Sequence, residues 1–192
     1  MVQAHQARPI GKFIRFSVLL PFVSTREGLS ILFETRSEKV SQPGDTSFPG
    51  GRIEAGETAE QAAIRETVEE IGILEENIEI FGRWNSLYHY SNMLIETFIG
   101  ELHDFKPGRF MPNDEVSQLF FVPLSFFQEN APSEYQSKVH VQLPDDFPYA
   151  LLPNEKDYPF RMGMQTTYFW QYQGHIIWGL TAQIVKDFIE HL

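Results

Sequence analysis

The chain of 192 residues contains no cysteine. That excludes disulfide bridges, thiolate-bound zinc and a cysteine nucleophile, and it fits a reducing compartment, the cytoplasm being the expectation. Basic residues are scarce: 15 Lys and Arg stand against 26 Asp and Glu, a formal net charge of −11. A chain so acidic does not bind DNA or RNA through a broad basic surface, so no nucleic-acid partner is expected. A small polyanion remains acceptable if metal ions enter with it. Long apolar runs are missing as well. FSVLLPFV (16–23) follows Arg8, Lys12 and Arg15 as the core of a secretory leader would. It is short, contains Pro21 and leads to no small-residue cleavage site, so it reads as a β-strand. No other stretch has membrane-spanning length, and a membrane partner is not expected.

What is present suits one mixed α/β domain over 1–192. Hydrophobic residues make up 42% of the chain, enough for a packed core. Residues 13–23, 29–35, 78–83, 93–102 and 118–123 read as strands, with turn-like STREG between the first two. RSEKVSQPGDTSFPG (36–50) reads as loop. Pro107-Gly108 and Pro112-Asn113 break the chain, and 124–160, rich in proline and acid, reads as a surface wrap. TTYFWQY, Gln173-Gly174 and HIIW form a hairpin pattern. A helix over 180–191 turns Leu180, Ile184, Phe188 and Ile189 inward.

The chemistry concentrates in GGRIEAGETAEQAAIRETVEEIG (50–72). Thr58 with Gln61 predicts a capping box and Gly72 a helix stop. At 3.6 residues per turn, Glu66, Glu69 and Glu70 share a face spanning roughly 100°. Ile64, Val68 and Ile71 are expected on the opposite, core side. Ala59, Ala62 and Ala63 near the acids allow close backbone approach, and Arg65 can brace Glu69. Like charges at i, i+4 cost about 0.2–0.5 kcal/mol per pair, and an exposed face would alternate them with lysine. Hard divalent cations remove the repulsion, and oxygen donors suit Mg²⁺ or Mn²⁺.

Gly51, five residues, Glu57, seven residues, Arg65-Glu66, two residues, Glu69-Glu70, one residue, Gly72-Ile73 resembles the Nudix box, here 51–73. A chance match at seven fixed positions has odds on the order of 10⁻⁸ per starting point at about 7% usage each. Thr67 replaces an apolar residue of the pattern and, being β-branched, can still face a core. The resemblance implies a Nudix-type α/β/α sandwich with a mixed β-sheet, hydrolysing a nucleoside diphosphate linked to another moiety. It implies Glu66, Glu69 and Glu70 as ligands of Mg²⁺ or Mn²⁺, with the Gly51 carbonyl. Glu57 and Arg65 would be the pair that orients them, and Glu69 serves the chemistry directly.

LFETRSEKVSQPGDTSFPGG (32–51) resembles the additional motif of coenzyme A diphosphatases, in Thr35, Arg36, Ser37, Gly44, Phe48, Pro49, Gly50 and Gly51. Gln42-Pro43 depart from its usual basic stretch. The tail GHIIWGLTAQIVKDF resembles the same subfamily. Arg36 and Arg52 flank an acidic centre and suit phosphate, because guanidinium pairs well with phosphate oxygens. Lys39 is a candidate for the 3′-phosphate of coenzyme A. PNDEVSQLFFVPL (112–124) resembles the segment that brings a loop acid to the box helix, with Glu115 the candidate base or extra ligand and Asp114 the alternative. His89 and His103 read as structural or solvated. Trp84, Tyr88 and Tyr90 could stack on adenine, but aromatic residues in and beside strands are usually core, which is the reading taken. The expected substrate is coenzyme A or acyl-CoA. ADP-ribose or another nucleotide is the alternative within the reaction class, and a non-catalytic nucleotide-sensing module the alternative outside it. The resemblance also raises a homodimer.

Overall fold

The computed structural model describes residues 10–104 and 112–192; Arg8 and the Pro107-Gly108 break lie outside the described residues. Among the described residues, ten strands and three α-helices run in the order β1 (Ile14–Thr25), β2 (Gly28–Arg36), β3 (Thr46–Ser47), β4 (Gly50–Arg52), α1 (Ala59–Ile71), β5 (Ile78–His89), β6 (Met93–Leu102), β7 (Val116–Pro123), α2 (Leu124–Glu129), β8 (Ser133–Val139), β9 (Gly163–Tyr172), β10 (His175–Trp178) and α3 (Gly179–Glu190). β3, β2, β1, β6 and β5 lie side by side, with β4 on β1 and β7 on β2. β1 and β6 pair parallel while β1–β2 and β5–β6 pair antiparallel, so the sheet is mixed.

Both faces of this sheet are covered, which explains its apolar runs. Alternation along β1 and β2 sends Leu19, Val23 and Leu32 to one side, where they pack with Ala59, Ala63 and Ile71 of α1. Leu20, Phe22, Ile31 and Phe33 go to the other side, onto α2 and α3 through Phe127, Ile184, Val185 and Phe188. The result is the expected α/β/α layering. FSVLLPFV resembled a leader because a strand buried on both faces loses its polar alternation.

Three differences from the sequence reading have physical causes. The wrap over 124–160 contains β8, which joins β9 and β10 in a second, antiparallel sheet. Its SEYQSKV is polar on both faces and shows no apolar period. β5 extends to His89, carried past Gly82 and Trp84 by two register shifts against β6. In α1, Ala62, Ala63, Thr67 and Ile71 are fully buried, whereas Ile64 and Val68 are only partly covered. The helix lies close on the sheet through its small side chains. Its core stripe is therefore rotated from the expected Ile64–Val68–Ile71 line. Thr67 faces the core as expected and donates its hydroxyl to the Ala63 carbonyl at 2.7 Å.

Candidate active site

α1 begins and ends where its caps dictate. The Thr58 hydroxyl accepts from the Gln61 N–H while the Gln61 side chain accepts from the Thr58 N–H, and Gly72 closes the helix in the left-handed conformation. Between these caps the helix turns its acids toward the loop formed by β3 and β4. The Gly50 N–H donates to Glu70 Oε2 at 2.8 Å. At Gly51 a Cβ would collide with the Glu66 carboxylate and push that side chain aside. Lacking it, the loop backbone touches the Glu66 carboxylate directly.

Arg65 organises the rest. Its guanidinium donates to Glu57 Oε1 at 2.9 Å and Glu57 Oε2 at 3.2 Å, and to the Arg52 carbonyl at 3.3 Å. It also reaches Glu66 at 2.9 Å and Glu69 at 3.3 Å. Glu57 in turn accepts the Glu54 N–H, and the Arg65 hydrogen bond, ahead of that one, holds its carboxyl below the usual range. One cation thus ties the entry loop to two acids of the helix. Glu57 and Arg65 are thus paired with each other, a geometry that a bracing role would need.

The acids on the sheet side are charged only at a cost. Burial pushes Glu70 up to about 9, with Glu34 adding to the rise. Burial likewise pushes Glu34, on β2, up to about 7, against the donation of the Ser47 hydroxyl to its Oε1 at 2.8 Å. Glu66 is raised for the same reason, Arg65 partly offsetting it. Among the described residues no three carboxylate or imidazole side chains converge at ion distance. Arg65 engages Glu66 and Glu69 instead. The donor set nevertheless fits a hard divalent ion: every donor is oxygen, and buried carboxylates outnumber the cations that reach them. One of those oxygens, Glu34 Oε2, has no partner.

This has a measurable consequence for stability. The unfolded carboxyls ionise near 4.5, the folded ones near 7 and 9. Between those values the folded state binds more protons, so stability falls as pH rises. The contribution is intact below about 4.5 and lost in steps through 7 and 9. The melting temperature of metal-free protein is expected to decline from pH 5 to pH 9, with Mg²⁺ or Mn²⁺ raising it most at the alkaline end. Scanning calorimetry with and without the ion measures both trends.

A cavity of about 1220 Å³ opens over these groups. Arg36, Arg52, Glu66, Glu69, Glu70 and Glu115 all line it. Glu115 is brought there by its loop, where the Asn113 N–H donates to the Glu70 carbonyl at 3.2 Å and the Ser37 N–H to the Glu115 carbonyl at 2.8 Å. Arg36 is fixed by donating its Nε–H to the Ser41 carbonyl at 2.9 Å. Lys39 and Asp114 are not among the lining residues; they pair with each other at 2.5 Å on the surface. The far wall comes from β8, β9 and the start of α3. His89 and Tyr90, with rings 4.0 Å apart, also border the cavity. His89 had not been placed there from sequence, because the turn after a strand of uncertain length gave no register. The core reading fails for Tyr88 and Tyr90, both exposed, and of the two only Tyr90 lines the cavity. His103 pairs with Glu79 outside the cavity, and Trp84 donates to Asp187 while packing on Phe188.

The model of the NUDIX domain matches residues 14–141. The chain belongs to the Nudix family. It is 34% identical over 137 residues to the mouse peroxisomal coenzyme A diphosphatase NUDT7, covering 69% of this chain and 56% of that protein. It is 26% identical over 174 residues to the human mitochondrial coenzyme A diphosphatase NUDT8, covering 88% and 66%. The chain spans about half the length of the first curated relatives it matches. Among solved structures, a Nudix hydrolase from M. smegmatis, RenU, superposes with a TM-score of 0.51 at 22% identity, covering 62% of this chain and 76% of that one. That likeness shows the Nudix fold. Among the described residues, no helix is long and apolar enough to cross a membrane.

Proposed function

We propose that this Nudix protein is a divalent-metal-dependent hydrolase that cleaves the pyrophosphate of coenzyme A or acyl-CoA, giving (acyl-)4′-phosphopantetheine and adenosine 3′,5′-bisphosphate. The observation that carries this reading is the presence of Glu66, Glu69 and Glu70 on the lining of one cavity that also presents Arg36 and Arg52. The cavity exceeds the roughly 300–1,000 Å³ of ordinary small-molecule sites and suits an extended nucleotide conjugate. The likeness to two proteins named coenzyme A diphosphatases and the motif over 32–51 support the choice of substrate.

Glu66, Glu69 and Glu70, with the Gly51 carbonyl, would hold Mg²⁺ or Mn²⁺. A bound ion of this kind neutralises phosphoryl oxygens and makes a water nucleophilic near neutral pH. The remaining work falls to the chain. Arg36 and Arg52 offer guanidinium donors to phosphate oxygens at the mouth. Glu57 holds Arg65 against the loop so that Glu66 and Glu69 keep their places. Glu115, on the cavity lining, would accept the proton of the attacking water. Water attack on phosphorus needs no covalent enzyme intermediate.

A panel of coenzyme A, ADP-ribose, dinucleoside polyphosphates and 8-oxo-dGTP, each with Mg²⁺ or Mn²⁺, tests the reading. The expected result is fastest release of adenosine 3′,5′-bisphosphate from coenzyme A. Preference for ADP-ribose overturns the substrate and spares the reaction class; binding of nucleotide without turnover favours a sensing module. The last oligonucleotide-precursor arm has its own motive, since an E. coli relative, 28% identical over 127 residues, is named an 8-oxo-dGTP diphosphatase. The cytoplasmic expectation rests on composition; the coenzyme A diphosphatases above are named peroxisomal and mitochondrial.

A further inference from the structure

β2 carries an acid where its neighbours are apolar. In LSILFETR, Leu32 and Glu34 fall on one face of the strand and Phe33 on the other. Leu32 packs with Ala59, Ala63 and Ile71 of α1, so Glu34 points into the layer beneath that helix. Only 1% of Glu34 is exposed. Its Oε1 accepts from the Ser47 hydroxyl at 2.8 Å, and its Oε2 is buried with no hydrogen-bond partner.

A buried carboxylate is costly unless paired, and among the described residues no cation forms an ion pair with Glu34. The charged groups acting on Glu34 are Glu115, Glu66 and Glu70, all of its own sign, and Arg36. Arg36 directs its Nε–H to the Ser41 carbonyl. Glu70, 4% exposed, has the Gly50 N–H as its hydrogen-bond donor. An ordinary structural acid in a strand would sit at the surface or face an arginine, as Glu96 does between Arg15 and Arg83. Glu34 does neither, and its free oxygen is buried within electrostatic reach of Glu70, the box acid that is itself buried.

We infer that Glu34 is a carboxylate of the cation site, supplying negative charge from the sheet so that the divalent ion is held between β2 and α1 and not by the helix alone. The inference rests on the metal-dependent reading above and extends it to a residue outside the box. Ser47 is then the group that orients Glu34, its hydroxyl fixing one oxygen and leaving the other for the ion.

Calorimetric titration of metal-free protein with Mn²⁺ alone, without substrate, separates the possibilities. Glu34→Gln is expected to weaken Mn²⁺ binding about 10–100-fold, the range seen when groups supporting a metal site are removed, while its circular dichroism and cooperative melting match the parent. If Glu34→Gln does not fold, Glu34→Thr, a residue favoured in strands, is titrated in its place with the same expectation. Parent-like Mn²⁺ affinity in the folded variant overturns the role of Glu34 and leaves the box reading intact. Absence of Mn²⁺ uptake by the parent chain overturns both.

Discussion

Glu70→Gln should lower turnover about 10²–10⁴-fold while leaving the metal-free fold as stable as before or more so. The asymmetry follows from burial. Glu70 is 4% exposed and its carboxyl is pushed up to about 9, so near pH 7 the metal-free protein carries it protonated. Glutamine reproduces that neutral group in shape, and its amide oxygen can still accept the Gly50 N–H. Removing a group that must ionise on unfolding removes the pH-dependent loss described above. What glutamine cannot supply is the charge that holds a divalent ion. Such an ion contributes several kcal/mol to the transition state, and each 1.36 kcal/mol is tenfold in rate. Glu69→Gln should show a similar loss from a more exposed position. Steady-state kinetics with thermal melts read both quantities, and full turnover in both variants contradicts the ligand assignment.

The second large effect belongs to Arg65. Its guanidinium bonds Glu57, Glu66, Glu69 and the Arg52 carbonyl at once. Arg65→Ala deletes all four ties, so it should lower the melting temperature as well as turnover, the latter by about 10²-fold, as expected when catalytic groups drift by an ångström. Its effect on the ion should run the other way. With Arg65 gone, Glu66 and Glu69 have no internal cation, and Mn²⁺ affinity should hold or rise while turnover falls. A parallel fall in both would mean that Arg65 builds the site and does not merely align it. Glu57→Gln, which weakens the same tie from its far end, should give a milder version of the same split.

The box helix was legible because its signals are local. Thr58, Gln61 and Gly72 act within one turn of themselves, and the spacing of Glu66, Glu69 and Glu70 follows from helical geometry. β1, β2 and β6 were legible as strands from their apolar runs. The turn of α1 on its own axis was not, because it depends on how closely Ala59, Ala62 and Ala63 let the helix approach the sheet. β8 escaped notice since its residues are polar on both sides and only pairing with β9 makes them a strand. Loop sequence left Lys39 open between a phosphate contact and a solvated lysine; in the fold it is exposed and paired with Asp114. Glu34 drew no notice in the sequence, because one acid in a strand carries no spacing signal; it stands out only through the burial of its free oxygen. His89 and Tyr90 reached the cavity through a strand longer than its sequence suggested.

Uptake of a divalent ion by the clustered carboxylates underlies every role assigned to the site. Calorimetric titration of metal-free parent protein with Mn²⁺ near pH 8, repeated with nucleotide present, tests this most directly. Saturable uptake accompanied by proton release is predicted, since raised carboxyls must give up protons to bind the ion. No uptake under either condition would contradict it.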